Sequence, residues 1–232
     1  MSDWFFQENI DLHSDSLVLS MDESRHLKVK RNKLGSEVVV FDGSGIIING
    51  VIKEIKKHVI IKKVSVQKVE STSRISIALP VPKGNRMDWM IEKLTELNVH
   101  SLIPLITKYS QINPSDHKQE RWNRIIIESC KQCKRPNLMS VSEVTNLIDL
   151  NFKDFDCKLL LDQYGKNINE LQSLINTNQK TLLVIGPEGG FTEDEKKYLI
   201  SSGFISVKIS SNTLRIETAA IASAAIFGNF VK

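Results

Sequence analysis

Cysteine is scarce: the 232 residues hold three, an odd number that implies no disulfide framework. A reducing compartment fits best. No apolar run approaches the ~20 residues needed to span a bilayer. The most apolar long stretch, Ala219 to Phe227, is too short and is interrupted by Ser223. The start, Met1 to Glu8, lacks the basic and apolar segments of a signal peptide. A cytoplasmic chain with no membrane partner is therefore expected. Neither sign of charge dominates, with 31 Lys+Arg against 27 Asp+Glu. That balance permits a polyanionic partner without demanding one. A set of four metal ligands is also missing. Cys130 and Cys133 have the spacing of half a zinc site, but no second pair follows and Cys157 is isolated. The two cysteines, i and i+3 on a predicted helix, read better as a packed face, and no metal is expected. His26, His100 and His117 suggest no triad. No internal repeat or low-complexity tract is present.

What remains is an ordinary globular composition, 41% hydrophobic and 25% charged, long enough for one or two domains. The text changes character near residue 70. Before it, β-branched runs at Glu37 to Phe41, Ile46 to Ile55 and Lys57 to Val69 predict strands, with Asp42-Gly43-Ser44-Gly45 as a turn. A small β barrel or sandwich over 1–70 is expected, then a linker at Ser71 to Ser73. After it, strand and helix patterns alternate over 74–232. Strands are expected at Ile75 to Leu79, Leu102 to Ile106, Leu159 to Leu161, Thr181 to Ile185 and Phe204 to Ile209. Helical spacing joins Met87, Met90, Ile91 and Leu94; Trp122, Ile125, Ile126 and Ser129; and Ile168, Leu171, Leu174 and Ile175. Thr192 and Glu195 have capping-box spacing, and Glu217 to Phe230 reads as a last helix. Such alternation predicts a parallel sheet covered by helices, with ligands beyond the carboxyl ends of the strands.

Four segments carry chemistry-bearing residues. Gly186-Pro187-Glu188-Gly189-Gly190-Phe191 joins a buried strand to a capped helix, where the backbone can approach a ligand; the bland reading is a tight turn. The spacings of a phosphate loop and of a dinucleotide fingerprint are absent. Ser210 to Thr218 also follows a strand, with Arg215 and Glu217 flanking an apolar residue; the alternative is a surface ion pair at a helix start. Pro82-Lys83-Gly84-Asn85-Arg86 is a phosphate site or a solvated turn. Arg25 to Lys33 carries five Lys/Arg in nine residues, a stripe for a phosphate backbone or only a wetted face.

Together these segments resemble the ribosomal RNA small subunit methyltransferase E family, of the SPOUT class. The match rests on Gly186 to Phe191 followed by Leu214-Arg215-Ile216-Glu217-Thr218-Ala219. It is extended by Arg25-His26-Leu27 with Arg31, Phe41-Asp42-Gly43-Ser44-Gly45, Lys83 to Asp88, Lys93 to Val99, and the Glu128 to Arg135 segment with Gln132 and Arg135. The matches run in order from about residue 25 to 226. Three positions depart from the family pattern. Ser210 replaces a glycine, Ile216 a threonine, and Asn98 a glycine that an αL helix end can exchange for asparagine.

The resemblance implies an α/β protein in two parts: an N-terminal PUA-like β-barrel RNA-binding domain over 1–70, and a C-terminal SPOUT methyltransferase domain over 74–232, its parallel sheet and helices tied in a deep trefoil knot. It implies S-adenosylmethionine as cofactor, a homodimer, and methylation of N3 of a uridine in the decoding region of small-subunit ribosomal RNA, within the assembled subunit. By this similarity Leu161, Gly186, Gly190, Ile209, Ser210 and Leu214 are expected to hold the cofactor. Arg215 and Glu217 are the expected catalytic residues. Lys83, Arg86 and Arg135 are expected near target phosphates, and Arg25, Lys28, Lys30 and Arg31 at distant RNA. Two alternatives stay open: an RNA-binding or assembly protein that lost the chemistry, and a knotted methyltransferase acting on another RNA.

Overall fold

A computed structural model describes residues 2–111, 118–171 and 179–228. The predicted positions His117, Leu174, Ile175 and Phe230 lie outside them. The chain forms two compact units. The first comprises Met1–Ser71 with Ile127–Leu138, the second Thr72–Ile126 with Met139–Lys232.

In the first unit, strands β1 (Asp3–Phe6), β2 (Ser16–Val18), β3 (Glu37–Phe41), β4 (Ile46–Ile55) and β5 (Val59–Lys68) form one sheet in the order β1-β3-β4-β5-β2. Only β1 and β3 run parallel. Every strand sends residues to a single core: Phe5, Leu17, Val38 and Val40, Ile48 and Ile52, Val59 and Ile61. A sheet whose five strands share one interior must curl around it. The basic run falls largely on helix α1 (Met21–Val29), whose Ser20 side chain caps the Glu23 amide and whose Leu27 fills the core.

The second unit holds β6 (Ile75–Pro80), α2 (Arg86–Glu96), β7 (Ser101–Ile106), short strands β8 (Ser140–Val141) and β9 (Thr145–Asn146), β10 (Cys157–Asn167), β11 (Thr181–Ile185), α4 (Glu193–Ser201), β12 (Ile205–Lys208) and α5 (Ile216–Gly228). Helix α3 (Lys118–Cys133) begins in this unit and ends in the first. The sheet order is β12-β10-β11-β6-β7-β8, with β9 also on β7, and every pairing is parallel. The central strands β6 and β11 are buried throughout, as strands covered on both faces must be. The four residues Ile168–Leu171 form a short 3-10 turn. Asn98 takes φ of +58°, the left-handed geometry expected where α2 ends. The capping box forms: Thr192 accepts from the Glu195 amide, and Glu195 accepts from the Thr192 amide. Among the described residues no helix is long and apolar enough to cross a membrane.

Candidate active site

A cavity of about 320 Å3 opens at the carboxyl ends of β11 and β12 and beside a break in β10. That volume falls in the ~300–1,000 Å3 range of small-molecule sites. The pairing of β10 with β12 is regular to Leu161–Val207 and resumes at Lys166–Val207, so residues 162–165 bulge out of the ladder. A Cβ on Gly165 would stand 2.5 Å from the Val207 nitrogen, so only glycine lets the strands rejoin there. Asp162, Gln163 and Tyr164 of the bulge line the cavity. Gln163 accepts from the Thr213 hydroxyl at 3.1 Å, which ties the bulge to the loop after β12.

All six residues expected to hold the cofactor, Leu161, Gly186, Gly190, Ile209, Ser210 and Leu214, line this cavity. At Gly190 φ is +72° and a Cβ would meet no protein atom within 4 Å, so the backbone borders open space. The donor set suits S-adenosylmethionine. Leu161, Ile185, Leu214 and Ile216 offer apolar walls for an adenosine, and Asp162 offers a carboxylate to a sulfonium or ammonium group. Ser210 is accommodated without strain: among the described residues the non-glycine positive φ values are those of Asn9, Arg31, Asn98 and Lys134. Its hydroxyl accepts from the Asn212 amide at 3.1 Å and shapes the loop. Ile216 is buried and lines the wall.

Glu217 lies in the first turn of α5 with 7% of its side chain exposed. Its Oε1 stands 3.6 Å from Arg86, and its Oε2 is buried without a hydrogen-bond partner. Arg86 also stands 3.8 Å from Glu188, and its Nε donates to the Lys83 carbonyl at 3.1 Å. Arg215 is exposed, between the lining residues Leu214 and Ile216. Among the described residues no ion pair joins Arg215 to Glu217.

The match to known families covers nearly the whole chain. An RNA methyltransferase domain matches residues 69–228, and an RNA methyltransferase PUA domain matches 19–64. The ribosomal RNA small subunit methyltransferase E of Buchnera aphidicola subsp. Schizaphis graminum is 31% identical over 84% of this chain and 82% of its own. The chain belongs to the ribosomal RNA small subunit methyltransferase E family. That of Aquifex aeolicus is 29% identical over 92% of this chain and 94% of its own. A Legionella pneumophila chain solved in complex with bound SAM superposes with a TM-score of 0.86 at 27% identity, covering 99% of this chain and 98% of that one. The Neisseria gonorrhoeae member of the family shares the fold, with a TM-score of 0.88 at 23% identity over 100% of this chain and 98% of that one.

The other basic candidates of this family member differ in setting. In the first unit Arg25, Lys28, Lys30 and Arg31 are exposed. Arg25 faces Asp22 at 3.5 Å and Lys30 faces Asp3 at 3.1 Å. Arg135 is 7% exposed, and burial holds its guanidinium below its ordinary pKa. In the second unit Lys83 is exposed. Sequence reasoning passed over Lys131, whose buried Nζ lies 2.7 Å from Glu23, 2.7 Å from Glu128 and 2.9 Å from His26. Glu23, His26 and Glu128 converge closely enough to hold a metal ion, and the Lys131 ammonium already supplies a cation there. The bulge at residues 162–165 was also missed, and Glu188, though within the glycine-rich motif, was given no role. A polar run ending in glycine after the apolar Leu159 to Leu161, at a strand end, was the available signal.

Proposed function

We propose that this chain transfers the methyl group of S-adenosylmethionine to N3 of a uridine in the decoding region of small-subunit ribosomal RNA. The observation that carries the reading is the cavity walled by the Gly186–Phe191 and Ile209–Ile216 loops, in a chain of this family. Leu161, Gly186, Gly190, Ile209, Ser210 and Leu214 hold the methyl donor. When bound, S-adenosylmethionine supplies a methyl group already activated by its sulfonium. The chain must exclude water and align the uracil nitrogen. That nitrogen is engaged in a base-paired duplex, so the target must be unpaired or flipped out. Arg215 stabilises negative charge developing on the uracil oxygens. Glu217 faces Arg86, so it acts through that residue.

The first domain, over 1–70, lays Arg25, Lys28, Lys30 and Arg31 along RNA phosphates, and Lys83 serves the same end beside the site. Arg86 and Arg135 are poorer phosphate ligands: one faces two carboxylates and the other is buried. The loops around the cavity form the trefoil knot. The enzyme works in the cytoplasm as a homodimer on the assembled small subunit, without a metal. The test is incubation with methyl-labelled donor and unmodified small subunits. Label in the RNA supports the reading; donor binding without transfer would favour an RNA-binding protein that has lost the chemistry. Arg215→Ala should lower turnover with little change in donor affinity, and an unchanged rate would remove its role.

A further inference from the structure

We propose that Glu188 accepts the proton that leaves uracil N3, and that Arg86, anchored on the buried carboxylate of Glu217, holds Glu188 in place. This rests on the methyltransferase reading above. Two carboxylates line the cavity, Asp162 and Glu188. Asp162 is engaged: one oxygen pairs with Lys196 at 3.3 Å and the other accepts the Tyr164 amide at 3.1 Å, which holds the bulge. Glu188 is freer, with a side chain 36% exposed and Arg86 at 3.8 Å as its ion-pair partner. Glu217 does not line the cavity. Its 7% exposed carboxylate is stable there only while a cation stays close, and Arg86 at 3.6 Å is that cation. Arg86 thus joins three segments: the loop after β6 through the Lys83 carbonyl, the loop after β11 through Glu188, and the start of α5 through Glu217.

One cation between two carboxylates leaves the Glu188–Arg86–Glu217 cluster itself with one negative charge. That charge repels a phosphate and suits a proton acceptor. Among the described residues the other titratable groups on the cavity wall are Asp162, Tyr164, Lys196 and Lys208, and the Tyr109 Cβ would lie 3.3 Å from a Cβ on the neighbouring Gly189. In the step, the N3–methyl bond forms as the methyl–sulfur bond breaks and its electron pair stays on sulfur. The N3 proton passes to the Glu188 carboxylate as the methyl arrives, then to water, which frees the N3 electron pair for the new bond; the negative charge that develops meanwhile falls on the uracil oxygens, where Arg215 stabilises it in the reading above.

The test compares wild type with Glu188→Gln, Glu188→Asp and Glu217→Gln. Donor affinity is read by calorimetry, and turnover on small subunits is read between about pH 6 and 9. Glu188→Gln should bind S-adenosylmethionine within about threefold of wild type and lose about 100-fold or more in turnover at neutral pH. Its rate should climb about tenfold per pH unit as hydroxide replaces the carboxylate, where wild type is flat. Glu188→Asp should regain part of the rate. Glu217→Gln should lower kcat at unchanged KM and move its pH profile toward that of Glu188→Gln. Wild-type label with a Glu188→Gln rate within about threefold overturns this inference alone. So does a loss that tracks donor affinity with the pH profile unchanged, and a wild-type kcat and profile in Glu217→Gln removes the anchor. No label with wild type overturns the methyltransferase reading and this inference together.

Discussion

Replacing Lys131 by methionine should destabilise the first unit by about 3 kcal/mol. The side chain is 4% exposed, and its ammonium is the cation shared by Glu23, Glu128 and His26. Methionine keeps the apolar stem and removes the charge. Glu23, 11% exposed, would then retain only the Phe6 amide at 3.3 Å. Glu128, 60% exposed, can turn to water and adds little. Breaking a buried pair costs about 3–5 kcal/mol, and the partly wet surroundings put this one at the low end. Three kcal/mol is about 150-fold in the opening equilibrium. Amide hydrogen exchange resolved by peptide reads each unit separately, so peptides from β3 and β5 should lose about that factor of protection. Adding Glu23→Gln, which discharges the stranded partner, should restore much of it. A loss under about fivefold, or a double variant as unstable as the sum of the singles, would refute the argument.

Other outcomes follow from the same geometry. Gly190→Ala places a Cβ in the open space beside a left-handed backbone; it should cost about 1 kcal/mol in stability and weaken S-adenosylmethionine at least about tenfold, and unchanged donor affinity would take this loop out of the site. Replacing Lys28, Lys30 and Arg31 together should lower the log–log salt slope of RNA binding by about two, at about 0.7 per single-strand phosphate lost, and an unchanged slope would remove the patch. Thr192→Ala should cost about 1 kcal/mol through loss of the α4 cap, read from the denaturation midpoint. Burial pushes the Cys157 thiol up, so little thiolate exists at mildly alkaline pH; iodoacetamide should label Cys133 first, and equal rates would contradict that burial.

Local rules carried the sequence reading far. Period-two and helical patterns located β6, β7, β11 and α2, and the Thr192–Glu195 spacing located the start of α4, because each depends on neighbours a few residues apart. The glycine-rich loop and the Ile209–Leu214 segment line the cavity, and their place after parallel strands was legible in the sequence. Three features were not legible because distant residues decide them. The bulge at 162–165 exists because β12 pairs again beyond it. The partner of Glu217 is Arg86, on another helix, where sequence proximity suggested Arg215. Lys131 and Arg135 look like surface cations in a helical text and are buried by the fold around them.

The most direct test is the identity of the methylated nucleoside. Purified protein, labelled S-adenosylmethionine and unmodified small subunits are incubated, and the RNA is digested and read by mass spectrometry. The account predicts label in 3-methyluridine. Label in any other nucleoside would contradict the assigned target, and no label with competent subunits would contradict the catalytic role itself.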